Sequence, residues 1–282
     1  MDLVVLEKYS FTLTFLAYMV ASIIYVLYLA YKNENMVKIG TLATAIGFVT
    51  NTAFLVFRWM ISGHAPFVNG FEFLMAFTWG IAGIYLFAEW RYKLSIIGAF
   101  VMPVAWLLLA WIALKMPEQA RNAENLMPAL QSDWLTIHVA TAMVSYGAFA
   151  LSFGTSIMYL IKKPMEESKS RSDFNKRMPS LDVLDDISYK FIAVGFPLLS
   201  LVIITGAIWA EFAWGRYWSW DPKETWSLIT WLVYAAYLHA RFTYGWRGKR
   251  AAWMSILGFV FVLFTFFGVN YVLQGIHSYG GS

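Results

Sequence analysis

The sequence predicts an all-α membrane protein, a polytopic bundle of about eight transmembrane helices, and three observations carry that prediction. Of its 282 residues, 60% are hydrophobic and 13% charged, where a soluble domain has roughly half and a quarter. Mean hydropathy is positive, +0.57. Apolar runs occur eight times at the length of roughly 20 residues that a helix needs to cross a hydrocarbon core about 30 Å thick.

The spans lie near Ser10 to Tyr31, Val37 to Phe57, Gly70 to Ala88, Leu94 to Leu114, Trp134 to Ile161, Ile187 to Glu211, Glu224 to Phe242 and Ala252 to Leu273. The first is too long, and begins too far from a basic start, to read as a cleaved signal peptide. It is expected to stay in the mature protein. The fifth span follows a long segment from Lys115 to Asp133 that carries Pro117, Pro128 and mixed charge. The sixth follows the longest basic loop, Lys162 to Asp186, which reads as a solvated connector lying against anionic headgroups. The seventh has a local start signal: Asp221 as N-cap, Pro222 at the first helical position, and Glu224 completing a capping box. No internal repeat, inverted pair of Gly/Pro-broken helices or low-complexity tract divides the chain. Residues 1–282 therefore read as a single membrane domain, within which 214–231 is a tryptophan-rich outer loop and helix start.

Lys and Arg divide unequally between alternate loops. Lys32, Lys38, Arg91, Lys93, Lys162, Lys163, Lys169, Arg171, Lys176, Arg177, Arg241, Arg247, Lys249 and Arg250 fall on one side. Lys8, Arg58, Lys115, Arg121, Arg216 and Lys223 fall on the other. By the positive-inside rule the first side is cytoplasmic or stromal, and both termini face the periplasm or lumen. The basic residues thus report orientation, and no patch among them suggests a nucleic-acid partner.

The chain has no cysteine. That excludes disulfides, thiolate metal sites and a covalently held haem in this chain. Iron would have to be bound by His, Met or carboxylate. Of the four histidines, His64, His138 and His277 sit at the outer face, whereas His239 lies about 22 Å along the seventh helix from Glu224 and so near the inner leaflet. Taken singly, each is more readily a hydrogen-bonded residue than a ligand. His138 and His277, at matching depth on different helices, are the more informative pair.

The segment WGRYWSWDPKETWSLITW, Trp214 to Trp231, holds five Trp. Two readings compete. Trp and Tyr217 favour the membrane interface and make a belt there. Alternatively, Trp214, Trp218 and Trp220 form a flat apolar platform with Arg216 beside it and Lys223 near. That arrangement suits a porphyrin: faces to stack on, propionates for the cations, and an iron taking two imidazoles.

That same run resembles the "WWD" signature of the haem-handling superfamily, in its CcsA (ResC) branch of system II cytochrome c biogenesis. The flanking runs GFPLLSLVIITGAIWAEFAWG, YAAYLHARFTYGWRGKRAAWMSILGF and FFGVNYVLQGIHSYG resemble that branch too, as do GHAPFVNGFEFLMAFTW and LQSDWLTIHVATAMVSYGAFALSF. The likeness covers roughly residues 55 to 278. It implies that haem b passes through as cargo and is presented at the outer face for covalent attachment to the CxxCH motif of apocytochrome c. It implies further that His138 and His277 are the axial ligands there, beneath Trp214, Trp218, Trp220, Arg216, Asp221 and Trp226, and that His239 belongs to an inner haem site. The second inner ligand would come from a CcsB/ResB-type membrane partner. The chain would be the haem-handling subunit of a cytochrome c synthase in a bacterial inner membrane or a thylakoid membrane. His64 and Glu72 match a segment to which no role is assigned, and His64 reads as a hydrogen-bonded loop residue paired with Glu72.

Three other functions are weaker. Delivery to a periplasmic haem chaperone shares the Trp-rich loop, but that branch is shorter than eight spans. A cytochrome b type electron carrier needs ligands buried in the bundle, and only His239 is deep. A transporter calls for midplane charges and broken helices, whereas Glu72, Glu89, Glu211 and Glu224 all lie near span ends.

Overall fold

A computed structural model describes residues 2–31, 33–116, 121, 132–169 and 172–269. All regular structure in it is helical. The helices are α1 (Leu3–Tyr31), α2 (Glu34–Ser62), α3 (Gly70–Tyr92), α4 (Gly98–Lys115), α5 (Asp133–Glu167), the short α6 (Asp173–Arg177), α7 (Leu181–Trp214), α8 (Pro222–Tyr244) and α9 (Lys249–Leu263), which continues into a π turn over Phe264–Gly268. Among the described residues, seven segments are long and apolar enough to cross a membrane. The helix α8 is as long as α3, at 23 residues, but Lys223, Glu224, Thr225, Ser227, Thr230, His239 and Arg241 dilute its apolar character. The all-α membrane architecture expected from hydropathy is thus present.

The helix ends follow capping chemistry. Asn33, Asn69, Ser132, Ser180 and Asp221 each accept a backbone N–H in the first turn of the helix that follows, satisfying donors that no intrahelical carbonyl can reach. The basic loop is much shorter than its sequence suggests. Helix α5 runs on to Glu167 and α7 begins at Leu181, the polar ends being stabilised by Lys162–Glu166 at 3.2 Å, Lys163–Glu167 at 3.8 Å and Lys190–Asp186 at 2.6 Å, all at the i,i+4 spacing that favours helix.

The described chain falls into two compact units, Met1–Leu126 with Arg171–Met178, and Met127–Ser170 with Pro179–Ser282. In the first, Gly40 and Gly47 on α2 let Tyr25 and Tyr18 of α1 lie against the α2 backbone. Asn51 donates to the Met75 carbonyl oxygen at 3.1 Å, and Arg177 donates to the Tyr28 carbonyl oxygen at the end of α1 at 3.0 Å. In the second unit α5 and α7 pack tightly through small residues. Ser145 donates to the Gly195 carbonyl oxygen at 2.9 Å, and Ser152 joins Ser188 at 2.8 Å and Ser255 of α9 at 2.7 Å. Phe149 stacks on Tyr234 of α8 with centroids 3.8 Å apart. Small residues and shared hydroxyls are the means by which helices associate where lipid supplies no hydrophobic drive.

Candidate functional site

His138 stands one turn into α5, half-buried against α7. Its Nδ1 lies 2.8 Å from the Val202 carbonyl oxygen. A carbonyl only accepts, so Nδ1 carries the proton, and in a neutral imidazole the lone pair is then on Nε2. Metal-ligating histidines are commonly oriented by this kind of bond from the opposite nitrogen. The ring reaches that carbonyl because residue 206 has no side chain: a Cβ there would sit 2.8 Å from Cε1 and 2.9 Å from Nδ1 of His138. Gly206 precedes Trp214 by eight residues, so the imidazole meets α7 about 12 Å below the helix end.

Helix α7 stops at Trp214 because Gly215 takes a left-handed conformation, φ 70°, and returns its N–H to the Glu211 carbonyl oxygen at 2.8 Å. The seven residues to Asp221 then cross to α8. Their conformation is set from below by Glu224, whose carboxylate accepts from the Ser219 N–H at 2.8 Å and the Asp221 N–H at 3.2 Å. Asp221, only 5% exposed, accepts in turn from the Lys223 N–H at 3.2 Å. The capping box is therefore present, and both carboxylates shape the loop.

The tryptophans do not make one flat platform. Trp218 and Trp220 meet at 86° with centroids 5.7 Å apart, and Trp214 meets Trp209 at 65° and 4.8 Å. Edge-to-face contact is what the ring quadrupole favours over a coplanar sheet. Trp220 is 68% exposed and holds φ at +59°, a conformation that costs a bulky residue energy. Arg216 and Tyr217 are exposed beside it. Further down, Trp226 packs on Phe261 and Phe264, and Trp231 lies on Phe196 while donating to Ser200 at 2.8 Å. Loop tryptophans thus offer surface, and helix tryptophans tie α8 to its neighbours.

His239 lies near the far end of α8 and is exposed. With Leu232, Ala236 and Thr243 it forms a stripe at i, i+4, i+7 and i+11, all exposed, which is one helix face. Thr243 Oγ1 is 3.5 Å from its Nδ1 and the Tyr244 ring is 5.9 Å away. The opposite face is anchored. Arg241 pairs with Asp185 of α7 at 2.8 Å and covers the Tyr189 ring at 4.4 Å, while Asp185 accepts the Gly248 N–H at 2.8 Å.

In the other unit His64 places Nδ1 3.0 Å from the Ala65 carbonyl oxygen. Glu72 is buried and accepts the Val68 N–H at 2.8 Å, with Arg58 Nε 3.9 Å from its other oxygen. Arg58 also meets Glu7 at 2.5 Å and donates to the Arg121 carbonyl oxygen at 2.6 Å. The sequence reading did not identify this charge cluster. Its signal was the shared depth of Glu7 at the start of α1, Arg58 at the end of α2 and Glu72 at the start of α3. Gly206 and the Val202 carbonyl also went unread. His277 lies outside the described residues, so the expected pairing with His138 is not part of the described geometry. Among the described residues no three His, Asp or Glu side chains gather as a site for a bare metal ion.

Residues 66–277 match the family model described as Cytochrome C assembly protein. A cytochrome c biogenesis protein CcsA of Guillardia theta is 41% identical, covering 97% of this chain and 96% of its own. That of a Picosynechococcus species is 36% identical over 99% of both. Among solved structures, a cytochrome c haem lyase, CcmF, superposes with a TM-score of 0.70 at 14% identity, covering 95% of this chain and 47% of that one. At that identity the likeness is one of fold.

Proposed function

The chain belongs to the cytochrome c assembly protein family, and on that premise we propose how this integral membrane protein of cytochrome c biogenesis handles haem for attachment to apocytochrome c. The cargo is haem b. At the outer face His138 and His277 hold its iron, and the exposed ring of Trp220, with the half-buried Trp218 and Trp214, bounds the porphyrin. Arg216, exposed beside them, would pair with a propionate. Asp221 and Trp226 keep the loop and the start of α8 in place.

The observation that carries this reading is the bond from His138 Nδ1–H to the Val202 carbonyl, which orients the ring and puts the neutral imidazole's lone pair on Nε2, the nitrogen that would meet the iron. Haem in this chain needs no covalent tether, because positioning the vinyl groups against the incoming thiols of the CxxCH motif is the larger part of the catalysis. The exposed face of α8 around His239 is the inner site. An imidazole turned away from its own bundle suits a haem shared with a CcsB/ResB-type partner, which supplies the second ligand. Orientation follows from the loop charges, with both termini on the periplasmic or lumenal side of a bacterial inner membrane or a thylakoid membrane.

The test is an absorption spectrum with pyridine haemochrome quantification on detergent-purified protein co-expressed with the partner. The parent is expected to carry b-type haem with low-spin bands. The His138→Ala, His277→Ala double variant loses those bands, and His239→Ala lowers total loading. A parent without haem, or a double variant with an unchanged spectrum, overturns the reading.

A further inference from the structure

A second feature of the α5, α7, α8 and α9 unit goes beyond haem handling. Where α8 hands over to α9, a shallow cavity of about 390 Å³ opens, lined by Lys163, Tyr244, Trp246, Arg247, Lys249 and Arg250. Four of these are cations, and among the described residues no carboxylate or histidine lines the cavity. Like charges gathered this way repel one another unless an anion comes between them.

The turn that carries the cations is preformed. Gly245 and Gly248 are left-handed, with φ 62° and 71°. Gly248 gives its N–H to Asp185, and a Cβ at 248 would clash with the Tyr159 hydroxyl, so this backbone cannot open without breaking the anchor beneath it. Arg250 lies over the Trp246 ring at 5.5 Å, and Arg247, Lys249 and Arg250 are exposed. Lys163 has only a 3.8 Å approach to the exposed Glu167. Guanidinium forks bind phosphate oxygens in pairs. Trp246 and Tyr244 are the residue types that settle at the glycerol and headgroup level of a bilayer.

We propose that this cavity binds a phosphate-bearing anion, seated among Lys163, Arg247, Lys249 and Arg250. On the orientation given above it opens at the inner leaflet, where anionic phospholipid headgroups present that chemistry at high local concentration. A soluble phosphate compound presents it as well.

The experiment uses the full chain in detergent. Native mass spectrometry counts phosphatidylglycerol and phosphatidylcholine retained per protein, and thermal unfolding is followed with and without inorganic phosphate. The parent is compared with Arg247→Gln, Arg250→Gln and with a Lys38→Gln, Arg91→Gln variant that removes the same charge from exposed positions elsewhere. Losing two guanidinium forks from one phosphate, the first pair should weaken phosphatidylglycerol retention about 10-fold or more, and the second, whose charges lie apart from the cavity, should leave it nearly unchanged. That result supports the site and identifies lipid as the source. A thermal shift with inorganic phosphate that needs Arg247 and Arg250, without phosphatidylglycerol retention, supports the site with a soluble ligand. Equal retention in all three proteins with no phosphate shift that needs Arg247 and Arg250, or phosphatidylcholine held as tightly as phosphatidylglycerol, overturns it. Haem content plays no part in this readout, so its failure is separate from any failure of the haem assignment.

Discussion

His138 and His239 lie in the same unit and differ in almost every physical respect. The first is half-buried, its Nδ1–H fixed on a main-chain carbonyl of the neighbouring helix. The second is exposed on its helix, with only a long approach from the side chain one turn on. If both are ligands as proposed, His138 is pre-organised for a geometry that its own protein dictates, and His239, facing away, would need its second ligand from elsewhere. What rigidity there is near His239 belongs to the backbone, through Arg241 and Asp185 on the opposite face of α8.

Breaking that anchor has the largest expected effect. Arg241 and Asp185 side chains are 8% and 9% exposed, and removing one member of a buried pair strands the other, at a cost of about 3–5 kcal/mol. Arg241→Leu should therefore lower the thermal midpoint of the purified protein strongly. A double variant, Asp185→Asn with Arg241→Leu, should recover part of the loss, since no charge is then left unpaired. If the double variant is as unstable as the sum of the two single ones, the pair is not an interacting anchor.

Gly206→Ala tests the other side of the comparison. The new Cβ would stand 2.8 Å from His138 Cε1, so either the ring leaves the Val202 carbonyl or α7 shifts. Loss of an orienting partner typically weakens metal binding about 10–100-fold. Haem titration should show that loss at the outer site, while thermal stability of the haem-free protein falls by much less than in Arg241→Leu. An unchanged haem affinity would mean that the Val202 bond does not orient the ligand.

These two tests rest on features of unequal legibility. Most of the spans could be read from hydropathy alone, because the bilayer demands apolar length whatever the tertiary structure; α8, diluted by polar residues, is the exception. The ends of α5 and α7 could not, since Lys163 to Glu167 and Leu181 to Asp186 are polar and helical through i,i+4 pairs and a serine cap, which a hydropathy boundary ignores. The Asp221, Pro222, Glu224 start was legible because a capping box is a local rule. His138 could be picked out by type and depth. Its partner could not: a carbonyl has no side-chain signature, and Gly206 in an apolar run looks like any small residue at a helix contact. The orientation of Trp218 against Trp220 was hidden for a related reason, because ring angles are settled by tertiary contact and spacing in sequence says only that the rings are near.

The smallest expected effect concerns that loop, and it separates its two possible roles. Trp220 holds a left-handed φ of +59° while leaving most of its ring in the open. Such a conformation costs a bulky residue on the order of 1 kcal/mol and costs glycine almost nothing. If Trp220 were only part of an interfacial belt, Trp220→Gly would raise stability by a fraction of that amount, the freer unfolded chain offsetting part of the relief, and leave haem binding at the outer site as it was. If the ring borders the haem, the same variant should be more stable and yet bind haem less well, the pattern expected when strain is kept for function. Thermal unfolding of the haem-free protein, followed by haem titration of the same preparation, reads both quantities. If stability instead drops, Trp220 is packing the loop in place and its edge-to-face contact with Trp218 is structural.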